Sequence, residues 1–129
     1  MAYEKSVTLL SGAVGEYHRV TSFRWDRVAK ELQVQISLYL DATTAADPSA
    51  EPLVREFARY RCTGINWESI IASTVLAVQA GAPDKDILAL VYVAIQFICN
   101  DFHTTGVLDP LNYVVCDYGK DFYWDATPV

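Results

Sequence analysis

The sequence predicts an α+β fold. An antiparallel β-meander of three to four strands packs against one or two C-terminal apolar helices, and an aromatic tail follows. Three observations lead there. Residues 32–40 alternate strictly between apolar and polar side chains. The apolar period changes after Thr63-Gly64 from two to that of a helix. Past Gly106, five aromatics crowd into twelve residues. The division that follows is a single α+β domain over residues 1–110 and an aromatic-acidic tail over 111–129.

The first strand is expected at residues 6–10, and Ser11 to Gly15 follow as a turn whose two glycines are free to take positive φ. Residues 16–25 carry Tyr17, Val20, Thr21, Phe23 and Trp25, types that fit a pleated, half-buried surface. Residues 26–31 are a polar connection. In residues 32–40, Leu32, Val34, Ile36, Leu38 and Leu40 point one way, and Gln33, Gln35, Ser37 and Tyr39 the other. A helix would scatter those apolar residues, whereas a strand gathers them on one buried face.

Residues 41–52 are small, polar and proline-containing, and are expected to form an exposed loop. The extended pattern resumes over 53–62. There Arg55, Phe57, Arg59 and Arg61 share one face, and Val54, Glu56, Ala58 and Tyr60 the other. Three arginines on one strand face form a basic stripe. It is either a solvated face that pairs with nearby carboxylates or an interface that meets an acidic neighbour.

Asn66 is placed to cap a helix over residues 67–82, with Trp67, Ile70, Ile71, Val75 and Val78 at helical spacing and Gly81-Ala82-Pro83 as its stop. Asp84 caps a second helix. Its stripe is Leu88, Val91, Tyr92, Ile95, Ile98, Cys99 and Phe102, and it ends between Asn100 and Thr105, before Gly106. The tail then brings Tyr113, Tyr118, Phe122, Tyr123 and Trp124, interleaved with Asp117, Asp121 and Asp125, and it is expected either to fold back onto its own sheet or to pack on a neighbouring subunit, in which case deleting residues 112–129 leaves a folded domain.

Composition bounds the function. In 129 residues, 52% are hydrophobic and 20% charged, which excludes a disordered or low-complexity chain. Ten Lys and Arg against sixteen Asp and Glu give a net charge of −6, so no nucleic-acid partner is expected. The apolar runs at 70–82 and 87–99 fall short of the roughly 20 residues that span a bilayer, so no membrane partner is expected either. Met1 to Lys5 offer no apolar stretch of a secretory signal. Cys62, Cys99 and Cys116 are expected to be free, buried thiols in a reducing compartment.

Chemistry is sparse. Cys99 and His103 lie four apart, a spacing that suits two metal ligands or a thiol–imidazole pair. A zinc site needs about four ligands, and no CxxC or HxxxH motif supplies the rest. The apolar setting of Cys99 disfavours a thiolate. No glycine-rich phosphate loop and no GxSxG motif is present. No catalytic residue, cofactor, metal or small-molecule substrate is therefore expected.

The segments Leu9 to Gly12 and Tyr17-His18-Arg19-Val20 open a resemblance. With the polar turn at 26–31, the alternating strand at 32–40, Pro52-Leu53, the aromatic-arginine strand at 56–60 and the helix at 87–102, the chain resembles small structural proteins encoded among tailed-bacteriophage morphogenesis genes. The resemblance covers about residues 5–62 and, more weakly, the second helix and 106–109. It implies a non-enzymatic virion protein, an assembly module of the tail, baseplate or fibre attachment region, assembled in the bacterial host cytoplasm. Its partners would be other virion structural proteins and copies of itself. Interface candidates are Arg55, Arg59, Arg61, Tyr113, Tyr118, Phe122, Tyr123 and Trp124. The alternative is a small cytoplasmic enzyme or ligand-binding domain built around Cys99 and His103.

Overall fold

Leu32, Val34, Ile36 and Leu38 are all buried, while Gln33 between them is exposed, and this alternation sets the centre of the fold. They belong to β3 (Glu31–Tyr39), flanked by β2 (Val14–Asp26) and β4 (Val54–Thr63). The computed structural model describes residues 2–26, 28–63 and 87–129, with backbone alone over 87–90. Further elements are β1 (Tyr3–Thr8), α1 (Ala42–Ala46), α2 (Ile87–Thr105), β5 (Asn112–Cys116) and β6 (Thr127–Pro128).

The described strands form one six-stranded sheet, ordered β5-β4-β3-β2-β1-β6, with every neighbouring pair antiparallel. The meander is thus β1 to β4, as the sequence predicts, but the sheet has six strands rather than three or four. The extra two come from residues read as a tail. β5 extends the sheet beside β4, and β6 closes on β1, where Ala2 and Val129 exchange backbone hydrogen bonds of 3.0 and 2.9 Å. Residues 41–52 also differ from a plain loop. The Asp41 carboxylate accepts from the Thr44 amide at 2.7 Å and caps the short α1, whose Ala45 carbonyl accepts from Arg19 at 3.1 Å.

Helix α2 lies across the inner face of the sheet. Val91, Tyr92, Ala94, Ile95, Ile98 and Cys99 are buried, at the i, i+3, i+4 spacing of one apolar face. Leu32, Val34, Tyr60 and Cys62 meet Ala94, Ile95 and Ile98 there. Two polar links fix the docking. The Tyr92 hydroxyl accepts from the Val20 amide at 2.8 Å, next to a register shift between Val20 and Ser22. The Tyr3 hydroxyl donates to the Tyr92 carbonyl. A buried backbone N–H without a partner would cost about 1–3 kcal/mol, so the tyrosine offsets the bulge. Gly106, at φ 72°, ends the helix by donating to the Phe102 carbonyl at 2.8 Å, a left-handed stop that glycine adopts without strain. The helix expected over residues 67–82 and the Asp84 cap lie outside the described residues.

The aromatic segment completes the core from below. Tyr123 is 0% and Phe122 7% exposed. Tyr123 stacks on Tyr3 with centroids 5.2 Å apart, and Phe122 meets Phe57 edge-on at 5.2 Å. Residues 111–129 are therefore part of the sheet and its core, packed in cis.

Candidate interaction face

Alternation along β4 turns Tyr60 and Cys62 into the core and Arg59 and Arg61 onto the opposite face of the sheet. Register then assembles two rows across four strands. Arg24 of β2 opposes Gln33 of β3, which opposes Arg61 of β4, which opposes Tyr113 of β5. In the next row Ser22 opposes Gln35, then Arg59, then Val115. All of these except Val115 line an open groove of about 410 Å³.

The face is basic. Arg24 reaches Asp26 at 3.6 Å, a loose and exposed pair. Among the described residues neither Arg59 nor Arg61 makes an ion pair. The Arg61 guanidinium lies over the Tyr113 ring, 5.8 Å from its centroid. Gln33 donates to Glu31, and Gln35 donates to the Arg55 carbonyl at 3.3 Å. The guanidinium groups of Arg59 and Arg61 carry the forked N–H donors whose geometry matches a carboxylate.

Arg55 is not part of it. The pairing of β3 with β4 shifts between Ile36 and Leu38, so that Phe57 and Ala58 are both buried in succession. The shift breaks the parity that the sequence suggests. Arg55 moves off the rows, and its guanidinium pairs with Glu51 at 2.6 Å on an exposed turn. Phe57, expected beside the arginines, goes inward. Arg24 takes the vacated role, and sequence reasoning missed it. The signal was present: burial sits on even positions at His18 and Val20, then the aromatics fall on odd positions at Phe23 and Trp25. The bulge at Val20–Ser22 makes that switch and sends Ser22 and Arg24 outward.

The aromatic candidates divide. Tyr113 belongs to the face and is 49% exposed. Tyr118 stacks on Phe57 at 5.1 Å with one side open. Phe122 and Tyr123 are core residues and offer no surface to a neighbour. Trp124 stacks on His103 at 3.7 Å, and His103 Nδ1 lies 3.0 Å from the Asp121 carboxylate. Two of the three tail aspartates are thus engaged within the chain, since Asp125 also pairs with Lys5 at 2.7 Å.

Cys99 and His103 sit in different surroundings. Cys99 is fully buried, 3.4 Å from the Tyr60 hydroxyl, and burial pushes its thiol up from its ordinary value. His103 is exposed at the end of α2. Burial also raises Cys62 and Cys116, each to about 11, so both stay protonated at neutral pH. Among the described residues, no group of three or more His, Cys, Asp or Glu is placed to hold a metal ion. No described helix is long and apolar enough to cross a membrane.

Fold and face together define the class: among the described residues, an antiparallel sheet roofed by a long helix on its inner side, with an open, arginine-bearing outer side. The chain matches no protein-family model, no curated protein and no solved structure.

Proposed function

We propose that this chain is a non-enzymatic assembly module of a tailed-bacteriophage virion, seated in the tail, baseplate or fibre attachment region. It docks a neighbouring structural protein through the outer face of its sheet. The observation that carries this reading is the pair Arg59 and Arg61, set without ion pairs among the described residues on an open sheet face of a chain with net charge −6. Exposed like charges this close repel each other, and an acidic partner relieves the repulsion. The virion setting rests on the resemblance of residues 5–62 to small phage structural proteins.

The enzyme or ligand-binding alternative has less behind it. Its two residues face different surroundings, and the Cys99 thiol is shielded by Tyr60 and raised by burial.

The test is particle composition. Purified particles of the virus that encodes the chain are expected to contain it in stoichiometric amount by quantitative mass spectrometry. The Arg59→Glu/Arg61→Glu variant is expected to fold, by circular dichroism, yet to be missing from particles. A chain that stays entirely outside the particles overturns the reading.

A further inference from the structure

The outer face of the sheet is stepped. Arg19 and Ser37 are register partners on it, since their neighbours His18, Val20, Ile36 and Leu38 turn into the core. Ser37 is nevertheless 0% exposed, and the Arg19 guanidinium donates to the Ala45 carbonyl at 3.1 Å. The α1 segment, which lies against β2 and β3, therefore covers this half of the face. About 7 Å further along β3, at Gln35, the cover ends and the groove of about 410 Å³ begins. Arg59, Arg61 and Tyr113 are exposed there. A helix with its side chains is about 10 Å across, so the covered half stands as a shoulder beside the groove.

Charge divides at the same step. Residues 41–51 carry Asp41, Asp47 and Glu51 and neither Lys nor Arg. Asp41 caps α1, while Asp47 and Glu51 are exposed. Asp47 accepts from the Ser49 amide at 2.9 Å, and Glu51 shares an exposed ion pair with Arg55. Bonds from neutral donors leave the charge on Asp47 in place, and an exposed ion pair holds Glu51 only weakly. Across the step, neither Arg59 nor Arg61 makes an ion pair among the described residues. Asp26 and Glu31 stand beyond Arg24 and Gln33, at the far end of the groove. A raised acidic half beside a recessed basic half is complementary to itself. A two-fold axis that runs along the step, across the strands, turns a second copy face to face and seats the shoulder of each in the groove of the other. Groove against groove would instead oppose like charges.

We propose that the groove is occupied by a second copy of this chain, related by a two-fold axis along the step, with Asp47 and Glu51 of each copy set against Arg59 and Arg61 of the other. This rests on the outer face being the docking surface, and it names the neighbour that the face takes. The contact is made twice, and it closes at two copies because each step is filled by the other.

The test uses the full chain at physiological ionic strength, where charges outside the contact are screened over about 8 Å. Sedimentation equilibrium is expected to show monomer and dimer and no larger species. Arg59→Glu/Arg61→Glu and Asp47→Lys/Glu51→Lys, each checked for fold by circular dichroism, are expected to weaken the dimer roughly hundredfold or more when alone. Mixed one to one, they are expected to form a heterodimer, because each acidic groove then meets a basic shoulder and each acidic shoulder a basic groove. The neutral pair Arg59→Gln/Arg61→Gln is a milder second reading, expected to weaken the dimer roughly tenfold. A parent chain that stays monomeric up to about 1 mM overturns the proposal. So does a mixture that fails to associate, or a dimer that both charge reversals leave intact. Growth past two copies assigns head-to-tail contacts and overturns the two-fold arrangement. A monomeric parent whose Arg59→Glu/Arg61→Glu variant is missing from particles overturns the second copy and leaves docking of another acidic protein standing. A dimer lost in that variant, with the variant still entering particles, supports the second copy and overturns the face as the virion docking surface.

Discussion

The Tyr123 hydroxyl lies 3.0 Å from Nδ1 of His18, and both side chains are fully buried. On the other side of the ring, Nε2 lies 2.8 Å from the Lys5 carbonyl. A carbonyl only accepts, so Nε2 carries the hydrogen. A neutral ring then leaves Nδ1 to accept from Tyr123. One histidine thereby ties β1, β2 and the aromatic C-terminal segment together. Tyr123→Phe leaves Nδ1 buried without a donor and is expected to cost about 1–3 kcal/mol. Tyr123→Ala also opens a cavity and is expected to cost about 3–5 kcal/mol. Urea denaturation measures both, and a Tyr123→Phe variant as stable as the parent would break the assignment.

The same histidine sets a pH dependence. Burial pushes its pKa from 6.5 down to about 4, against a smaller opposing effect of the hydrogen bond to Lys5. The ring is faced by Lys5 from β1, Phe57 from β4, and Phe122 and Tyr123 from the C-terminal segment, and the one cation among them also disfavours a charged ring. Between those two pH values the unfolded chain binds the extra proton. Stability is therefore full above about 6.5 and falls as the pH drops towards 4, by about 2 kcal/mol between pH 7 and 5. The lowered carboxyls of Asp26, Asp41, Asp47 and Asp125 act in a lower window, below their ordinary value of 3.8. Urea titrations at pH 7 and 5 are expected to show the loss in the parent and to show it largely gone in His18→Phe.

The alternating strand gives a direct check on the core. Ile36 is 0% exposed at the centre of β3, whereas Gln35 faces outward. Ile36→Ala is expected to cost about 2–5 kcal/mol and Gln35→Ala under about 0.5 kcal/mol. Similar losses in chemical denaturation would mean that the faces are exchanged.

That strand is also where the sequence was most legible. The period-two pattern of β3 and the i, i+3, i+4 stripe of α2 are local, and both survive in the fold at Leu32, Val34, Ile36 and Leu38 and at Val91, Tyr92, Ile95, Ile98 and Cys99, although Ser37 is buried too and Leu40, expected inward, lies past the end of β3 and is 50% exposed. Parity over β2 and β4 was less legible, because a bulge reverses every side chain beyond it. Hence the residue alternation puts Arg59 and Arg61 on one face, as the fold does, but it also groups Arg55 with them and leaves Arg24 out. The aromatic segment was hardest. Its interleaved aspartates suggest a solvated surface, yet Phe122 and Tyr123 turn inward while Asp121 and Asp125 pair at the rim. Only long-range packing against His18 and Tyr3 decides that, and no local period encodes it.

Cis packing of this segment reverses an expectation about truncation. A detachable tail could be cut off and leave a folded domain. Deleting residues 112–129 instead removes both edge strands, the Tyr123–His18 hydrogen bond and the Phe122 ring against Phe57. Buried aromatics of this size are each worth several kcal/mol, so the loss is comparable to the whole stability of a small domain. The truncated chain is expected to show an unfolded circular dichroism spectrum with no cooperative thermal transition. A folded monomer after truncation would return the segment to the role of an appendage.

Gly15 and Leu38 provide the most local test of packing. A Cβ built on Gly15 would lie 2.8 to 3.0 Å from Cγ, Cδ1 and Cδ2 of Leu38. Leu38 is 0% exposed, so its branched end has nowhere to swing. Gly15 is therefore needed for close approach of β2 to the core, independently of its backbone angles. Gly15→Ala is expected to cost about 1–3 kcal/mol through overpacking, and Leu38→Ala about 2–5 kcal/mol through the cavity it leaves. The double variant discriminates between this clash and a general weakness of the turn. Removing the Leu38 side chain beyond Cβ deletes all three clashing atoms, and the added methyl group fills part of the space. The two losses should then fall short of additivity by about 1 kcal/mol or more in a double-mutant cycle read by urea denaturation. Strict additivity would mean that the alanine methyl strains something other than Leu38, and the close approach would not be the reason for glycine at this position.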